Sequence, residues 1–172
     1  MEGFVFRQVR SEADLEQAQS IRKAVFVREQ GIPEEMEYDE YDTLDALETR
    51  VVHILAWKER SAAVETAGGL PAVGTAPAGN PSAVATGRLI LKGAGVGTLS
   101  RIAVLKQYRG RGLGKAVVQK LEEQARELGL SYLSLQPHTY LEEFYGKLGY
   151  TPLPGAHSSV AGHPLITMEK WL

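Results

Sequence analysis

No cysteine occurs among the 172 residues, so a disulfide framework, a cysteine-based metal cluster and an acyl-cysteine intermediate are all excluded. Excess basic charge is missing as well. The 19 Lys and Arg residues stand against 21 Asp and Glu, a formal net charge of −2 at pH 7. That balance gives no basic face for nucleic acid, and none is expected as a partner. No apolar run approaches the roughly 20 residues of a membrane-spanning helix, so no membrane partner is expected either. The opening Met1-Glu2-Gly3-Phe4 lacks the basic-then-apolar layout of an export signal. These absences read as a cytoplasmic protein. Its length reads as one domain over 1–172, large enough to bury a core.

What is present is one dense motif. Arg101-Ile102-Ala103-Val104-Leu105 reads as a strand, since aliphatic and β-branched residues dominate it. It runs through Arg109-Gly110-Arg111-Gly112-Leu113-Gly114-Lys115 into a helical pattern expected over 116–128. There Ala116, Val117, Leu121, Ala125 and Leu128 share one face. Glu122 and Arg126 are spaced to pair on the polar face, and Gly129 sits where the helix should stop. A helix start offers unpaired N–H groups and the positive end of its dipole. Glycines let that backbone approach an anion, and Arg and Lys add charge and forked donors. A P-loop needs four residues between its glycines and a hydroxyl after the lysine; here three residues separate Gly110 from Gly114, and Ala116 follows Lys115. A dinucleotide fingerprint needs Gly-x-Gly-x-x-Gly, one residue more than this spacing allows. A different pyrophosphate, or a plain glycine-rich turn, remains.

Around the motif, Phe4 to Val9 reads as a first strand. Ser11-Glu12-Ala13-Asp14 resembles a capping box and opens a helix with Leu15, Ala18, Ile21, Val25 and Phe26 buried, ending near Gln30-Gly31. Residues 34–45 carry Glu34, Glu35, Glu37, Asp39, Glu40, Asp42 and Asp45, with Met36, Tyr38 and Tyr41 between them. Two readings stand: a solvated loop anchored by aromatics, or a mouth that draws in a cationic amine by charge and cation–π contact. Arg50 to Trp57 is a buried strand whose His53 reads as a core histidine. Residues 61–82, rich in Ala, Gly and Pro, have no periodicity and read as a mobile insertion. Strands at 84–91 and 98–105 should pair antiparallel across a Gly-rich turn. A strand at 130–135 should lie parallel to the second, as strand–helix–strand units do. A short helix at 140–148 and a strand at 165–171 complete the set. The expected fold class is α/β, a single mixed, mostly antiparallel sheet flanked by helices.

Arg109-x-x-Gly112-x-Gly114 after a strand resembles the Arg/Gln-x-x-Gly-x-Gly/Ala signature of the GNAT N-acetyltransferase superfamily, and Gln107-x-x-Gly110-x-Gly112 fits the same pattern. Phe144-Tyr145-Gly146-Lys147-Leu148-Gly149-Tyr150 is similar to that family's FY-x-K-x-G-F/Y segment. Ile21 to Gly31 resembles the ElaA-like branch. Where that branch usually has Leu-Asn/His-Ala-Gln, this chain has Leu135-Gln136-Pro137-His138. The resemblance implies acetyl-CoA as cofactor, with its pyrophosphate held by Arg109, Gly110, Arg111, Gly112, Leu113, Gly114 and Lys115. It implies that backbone groups of Ile102, Ala103 and Val104 bind the pantetheine arm and acetyl group, where the strand splays from its neighbour. Pro137 removes a backbone donor, so His138 is expected to take a polar contact to the cofactor. By itself Tyr145 reads rather as a packing residue beside Phe144; the resemblance makes it the candidate general acid, since a phenol stays protonated at neutral pH and can protonate a leaving thiolate. Glu29 is the candidate base, against a plain salt-bridge role, with Glu37, Asp39, His53 and His138 as rivals. The expected reaction is direct acetyl transfer to a primary amine, a small cationic molecule, with no metal. The alternatives are a peptide-lysine acetyltransferase and a non-catalytic acyl-CoA sensor. The acceptor amine and the oligomeric state stay open, a homodimer among the options.

Overall fold

Sheet order follows from where each apolar run can bury both its faces, and the most apolar runs lie in the middle. In the computed structural model, which describes residues 3–59 and 82–172, seven strands form one sheet in the order β1-β2-β3-β4-β5-β7-β6. The strands are β1 Phe4–Gln8, β2 Val51–Lys58, β3 Ala83–Gly93, β4 Val96–Val104, β5 Tyr132–Leu135, β6 Thr151–Val160 and β7 His163–Trp171. Every neighbouring pair is antiparallel except β4 and β5, which are parallel across the α3 crossover. The helices are α1 Glu12–Arg22, α2 Leu44–Thr49, α3 Leu113–Glu127 and α4 Glu142–Gly146. This is the expected mixed, mostly antiparallel α/β sheet flanked by helices.

The Ser11 hydroxyl accepts from the Asp14 N–H at 3.2 Å and starts α1, as the capping box predicts. Leu15, Ala18, Ile21 and Val25 are buried, and they pack with Leu55, Ala83 and Ala103 on one face of the sheet. On the other face α3 buries Leu113, Val117, Val118, Leu121 and Ala125 against Leu89, Leu99 and Leu133, with Tyr145 of α4 in the same cluster. The approach of α3 is close. A Cβ at Gly87 of β3 would stand 2.5 Å from Val117 Cγ1 and 3.0 Å from Leu121 Cδ1, so glycine lets the helix down onto the strand.

Several sequence expectations need correction. The helix begins at Leu113, three residues before the apolar pattern shows itself, and Leu128 is half exposed. Glu122 is not on a polar face. It is buried where α3 meets β7, its two carboxylate oxygens 2.8 and 2.9 Å from Lys170 Nζ, with Arg126 at 3.7 Å. β6 was not expected, because Pro152, Pro154 and Gly155 argue against a strand. It lies at the sheet edge, where a missing N–H costs no ladder bond on the open side. α2 has only six residues, too few for periodicity, and starts at the Thr43 cap. The insertion expected at 61–82 lies outside the described residues apart from Ser82. Its flanks are adjacent, with Trp57 of β2 opposite Ala83 of β3.

Candidate active site

The parallel β4–β5 ladder runs from Val96↔Tyr132 to Leu99↔Leu135 and stops there. β4 continues to Val104 paired only to β3, so among the described residues its other edge has no strand partner beyond Leu99. A bulge starts at the same point. Arg88 pairs with Ser100 and Thr86 with Ala103, which leaves Gly87 facing both Arg101 and Ile102. Arg101 takes φ 54°, a left-handed conformation rare for a side chain of this size. The β4–β5 pairing thus ends at Leu99, and Ile102, Ala103 and Val104 lie on the part of β4 beyond it.

The glycine-rich loop leads from that part of β4 to the head of α3. Gly112 caps the helix with φ 77°, and Gly110 has φ 75°. Among the described residues, no backbone carbonyl accepts from the N–H groups of Gly110, Arg111, Gly112, Leu113, Gly114 or Lys115; the first helical bond is Ala116 N–H to Gly112 O. Arg111 and Lys115 are exposed, with Arg111 5.7 Å from the Tyr108 ring centre. Arg109 points elsewhere. Its Nε donates to Val104 O at 2.9 Å, and its Nη2 lies 2.8 Å from Glu29 Oε2. Arg109 thus braces the end of β4, while Arg111 and Lys115 stay exposed beside the loop backbone.

Phe144 bridges from α4 to the same place: a Cβ at Gly114 would meet Phe144 Cζ at 3.6 Å and Val104 Cγ2 at 4.0 Å. Tyr145, at 5% exposure, lies edge-on to Phe144 and to Tyr150. Burial, with Tyr140 nearby, pushes its phenol well above the ordinary range, so it stays protonated at neutral pH. Loop, β4 edge and Phe144 therefore meet on the α3 side of the sheet, with Tyr145 packed against Phe144.

On the α1 side the helix does not stop at Arg22. It widens into a π-helical stretch, Lys23–Glu29, and turns at Gly31 with φ 72°. Glu29 is held in an ion pair with Arg109, its Oε2 2.8 Å from Nη2, both side chains part-exposed. Gln30 reaches two histidines. Its Oε1 is 3.0 Å from His138 Nε2, and its backbone O is 2.9 Å from His163 Nε2. His138 stacks on Tyr140 and meets His163 edge-on, so its contact in this structure is to Gln30. Burial, together with the neighbouring His163, lowers the His138 pKa.

The acidic stretch behaves unlike either expectation. Glu37 and Asp42 are almost fully buried, and three arginines take up the charge. Arg22 binds Glu37 and Asp42, Arg88 forks onto Asp39 at 2.7 Å to each oxygen, and Arg101 lies 3.2 Å from Glu37. Burial alone would raise the Asp39 and Asp42 carboxyls, but Arg88 and Arg22 outweigh it and hold both below the usual range. Tyr38 and Tyr41 place their rings against Arg22 and Arg88, so the cation–π contacts are internal too. Glu37 and Asp39 are therefore structural, and the mouth for a cationic group loses its principal charges. His53 is a core histidine: burial, with Arg88 and Arg22 close by, lowers its pKa to about 4. Arg22, Arg88, Gln30 and His163 went unnoticed as partners. Arg22 falls on the buried stripe of α1 and Arg88 interrupts an apolar strand, and each is a readable signal of a buried ion pair.

The geometry agrees with the comparisons. Residues 26–150 match the model of the acetyltransferase (GNAT) family. A Bacillus subtilis (strain 168) protein named "putative acetyltransferase" is 40% identical over 164 residues, 95% of this chain and 94% of its own. The uncharacterized N-acetyltransferase YjcF of the same organism is 33% identical over 161 residues, 94% of this chain and 95% of its own. The crystal structure of Escherichia coli ElaA superposes with a TM-score of 0.73 over 97% of this chain and 99% of that one, at 23% identity, a likeness of fold. The chain belongs to the acetyltransferase (GNAT) family.

Proposed function

We propose that the protein transfers an acetyl group directly from acetyl-CoA to a small primary amine, with both bound at once. The observation that carries this reading is the cleft where β4 leaves β5, flanked on one side by the amide-rich head of α3 and on the other by the π-helical turn. Six consecutive free N–H groups with the exposed Arg111 and Lys115 fit a pyrophosphate. Acetyl-CoA supplies an activated thioester. Backbone N–H groups of Ile102 and Val104, which alternate with the β3-facing Ala103 and so point to the unpaired edge of β4, polarise its carbonyl. Tyr145 holds a proton for the leaving thiolate. The absence of cysteine supports direct transfer. For the acceptor, the acidic loop gives no ground for a second cationic group, since Glu37, Asp39 and Asp42 are already matched by Arg22, Arg88 and Arg101.

Thermal unfolding with acetyl-CoA, free coenzyme A and no ligand tests the reading. Ligand at about 100 times its dissociation constant adds about 2.7 kcal/mol. That raises the midpoint by roughly 5–10 °C for a chain of this size. A shift with acetyl-CoA, followed by thiol release with simple amines, is expected. No shift at millimolar ligand overturns it.

A further inference from the structure

Gln30 clamps two histidines whose use the acetyl-transfer scheme leaves unassigned. Their neighbours locate them. His138 follows three residues after the end of β5 and bridges to Leu165 of β7, and Gln30, which holds it, adjoins Glu29, the partner of the Arg109 that braces the end of β4. The ring is 9% exposed, and its Nδ1 is buried with no hydrogen-bond partner among the described residues. A buried polar atom left unpaired asks for a functional account. With Gln30 Oε1 accepting from Nε2–H, Nδ1 carries the lone pair.

We propose that His138 is the proton acceptor for the incoming amine, oriented by Gln30 and backed by His163. The inference rests on the acetyl-transfer reading above. The ammonium gives one proton to His138 Nδ1. The freed nitrogen lone pair attacks the acetyl carbonyl, the C–N bond forms, the C–S bond breaks, and the thiolate takes the Tyr145 proton. The nitrogen's second proton restores Tyr145 through solvent, and His138 returns its own to solvent, so the sum is one amide, one thiol and one released proton. The groups around the ring fit this role. His163 of β7 donates its Nε2–H to Gln30 O, Tyr140 stacks on the ring, and Glu29 is turned away to Arg109. Burial and His163 keep the imidazole neutral at the pH where an amine must be deprotonated. A third group orienting the base is the arrangement general-base sites use.

The test compares wild type, His138→Gln and His163→Gln in acetyl-CoA-dependent thiol release, with benzylamine and ethanolamine as strongly basic acceptors and hydroxylamine as one already a free base at neutral pH. A Gln side chain keeps a donor for Gln30 but has no basic nitrogen. The expected result is roughly a 100-fold loss of kcat with the basic amines in His138→Gln. Hydroxylamine turnover and acetyl-CoA affinity should stay within a few fold, and His163→Gln should fall much less. The acid limb of the wild-type pH–rate profile should lie below the ordinary histidine range and vanish in His138→Gln. Nitrogen NMR of the full chain should find the His138 proton on Nε2. Equal loss with all nucleophiles, an unchanged His138→Gln, or a proton fixed on Nδ1 overturns the assignment and leaves acetyl transfer standing. If wild type turns over no amine and shows no acetyl-CoA shift, the functional reading itself falls, and the assignment with it.

Discussion

His53 makes the fold acid-sensitive in a way that can be worked out beforehand. Its ring is 1% exposed on β2, with Nε2 3.3 Å from Tyr41 O and Nδ1 unpartnered, close to Arg88 and Arg22. Burial and those guanidiniums lower its pKa to about 4 from the ordinary 6.5. Between these values the unfolded chain binds a proton that the folded chain refuses. Stability therefore rises with pH through this window, and is lost as pH falls below about 6.5. At about 1.36 kcal/mol for each pKa unit the full penalty is about 3 kcal/mol, of which about 2 kcal/mol develops between about pH 7 and about pH 4.5. Asp39 and Asp42 do not blur the effect, since their carboxyls already lie below the usual range and titrate lower still. Urea unfolding at half-unit pH steps for wild type and His53→Gln measures it. The variant will be less stable throughout, because β2 is buried there, but its curve against pH should be flatter by about 2 kcal/mol over the window. Parallel curves would refute the reasoning and mean that His53 protonates in place. His138, lowered for the same reason, adds a smaller term of the same sign to both proteins.

Four further outcomes follow. Tyr145→Phe should lower kcat by roughly 10²-fold with acetyl-CoA affinity within a few fold; a full-rate variant removes Tyr145 as proton donor. Arg111→Ala with Lys115→Ala should weaken acetyl-CoA binding measured by calorimetry, and more so at low salt; unchanged affinity would mean that the backbone amides suffice. Gly87→Ala should cost about 1–3 kcal/mol in denaturant unfolding, because its methyl group meets Val117 at 2.5 Å; a cost near zero would show that α3 shifts freely. Lys170→Met should destabilise by about 3 kcal/mol, as Glu122 would keep a buried charge without its partner, and adding Glu122→Leu should recover most of the loss.

How much of this was legible in the sequence depends on the range of the forces involved. The Ser11 cap is a contact three residues long, the stripe of α1 is a local periodicity, and the parallel β4–β5 pair follows from strand–helix–strand connectivity, and each stands where the pattern placed it. Phe144 reaches the loop, with Tyr145 packed against it, because α4 follows β5 directly, a consequence of connectivity. Charge pairing carries no such local mark. Arg22 reaches 15 and 20 residues ahead to Glu37 and Asp42, and Arg88 reaches back 49 to Asp39. Seven acidic residues in a row of twelve therefore look solvated or ligand-seeking when read alone. A burial test on the arginines would have exposed the pairing, since Arg22 on an apolar stripe must bring a counter-charge with it.

The same network bears on the acceptor. Arg101 sits in the bulge with its guanidinium against Glu37 and Asp39, and Glu37 is fixed in turn by Arg22 of α1. The loop over 36–42 is thus fastened at once to α1, to β3 through Arg88, and to the bank of the cleft. Removing one member leaves the opposite charge unpaired in a buried place, so the loop would lose its seat and not merely one contact. Glu37→Gln should accordingly raise the KM for the acceptor and lower stability together, while acetyl-CoA affinity, on the proposed reading governed by the loop at the head of α3, holds. A Glu37→Gln protein that lost only acetyl-CoA affinity would place the loop on the cofactor side. The positive φ of Arg101 fits the same logic. A strained backbone survives where surrounding contacts over-determine it, and here the guanidinium is bound to two carboxylates and two backbone carbonyls. The bulge that opens the cleft and the charges that looked like a substrate mouth are one structure: the acidic loop shapes the site by holding its wall.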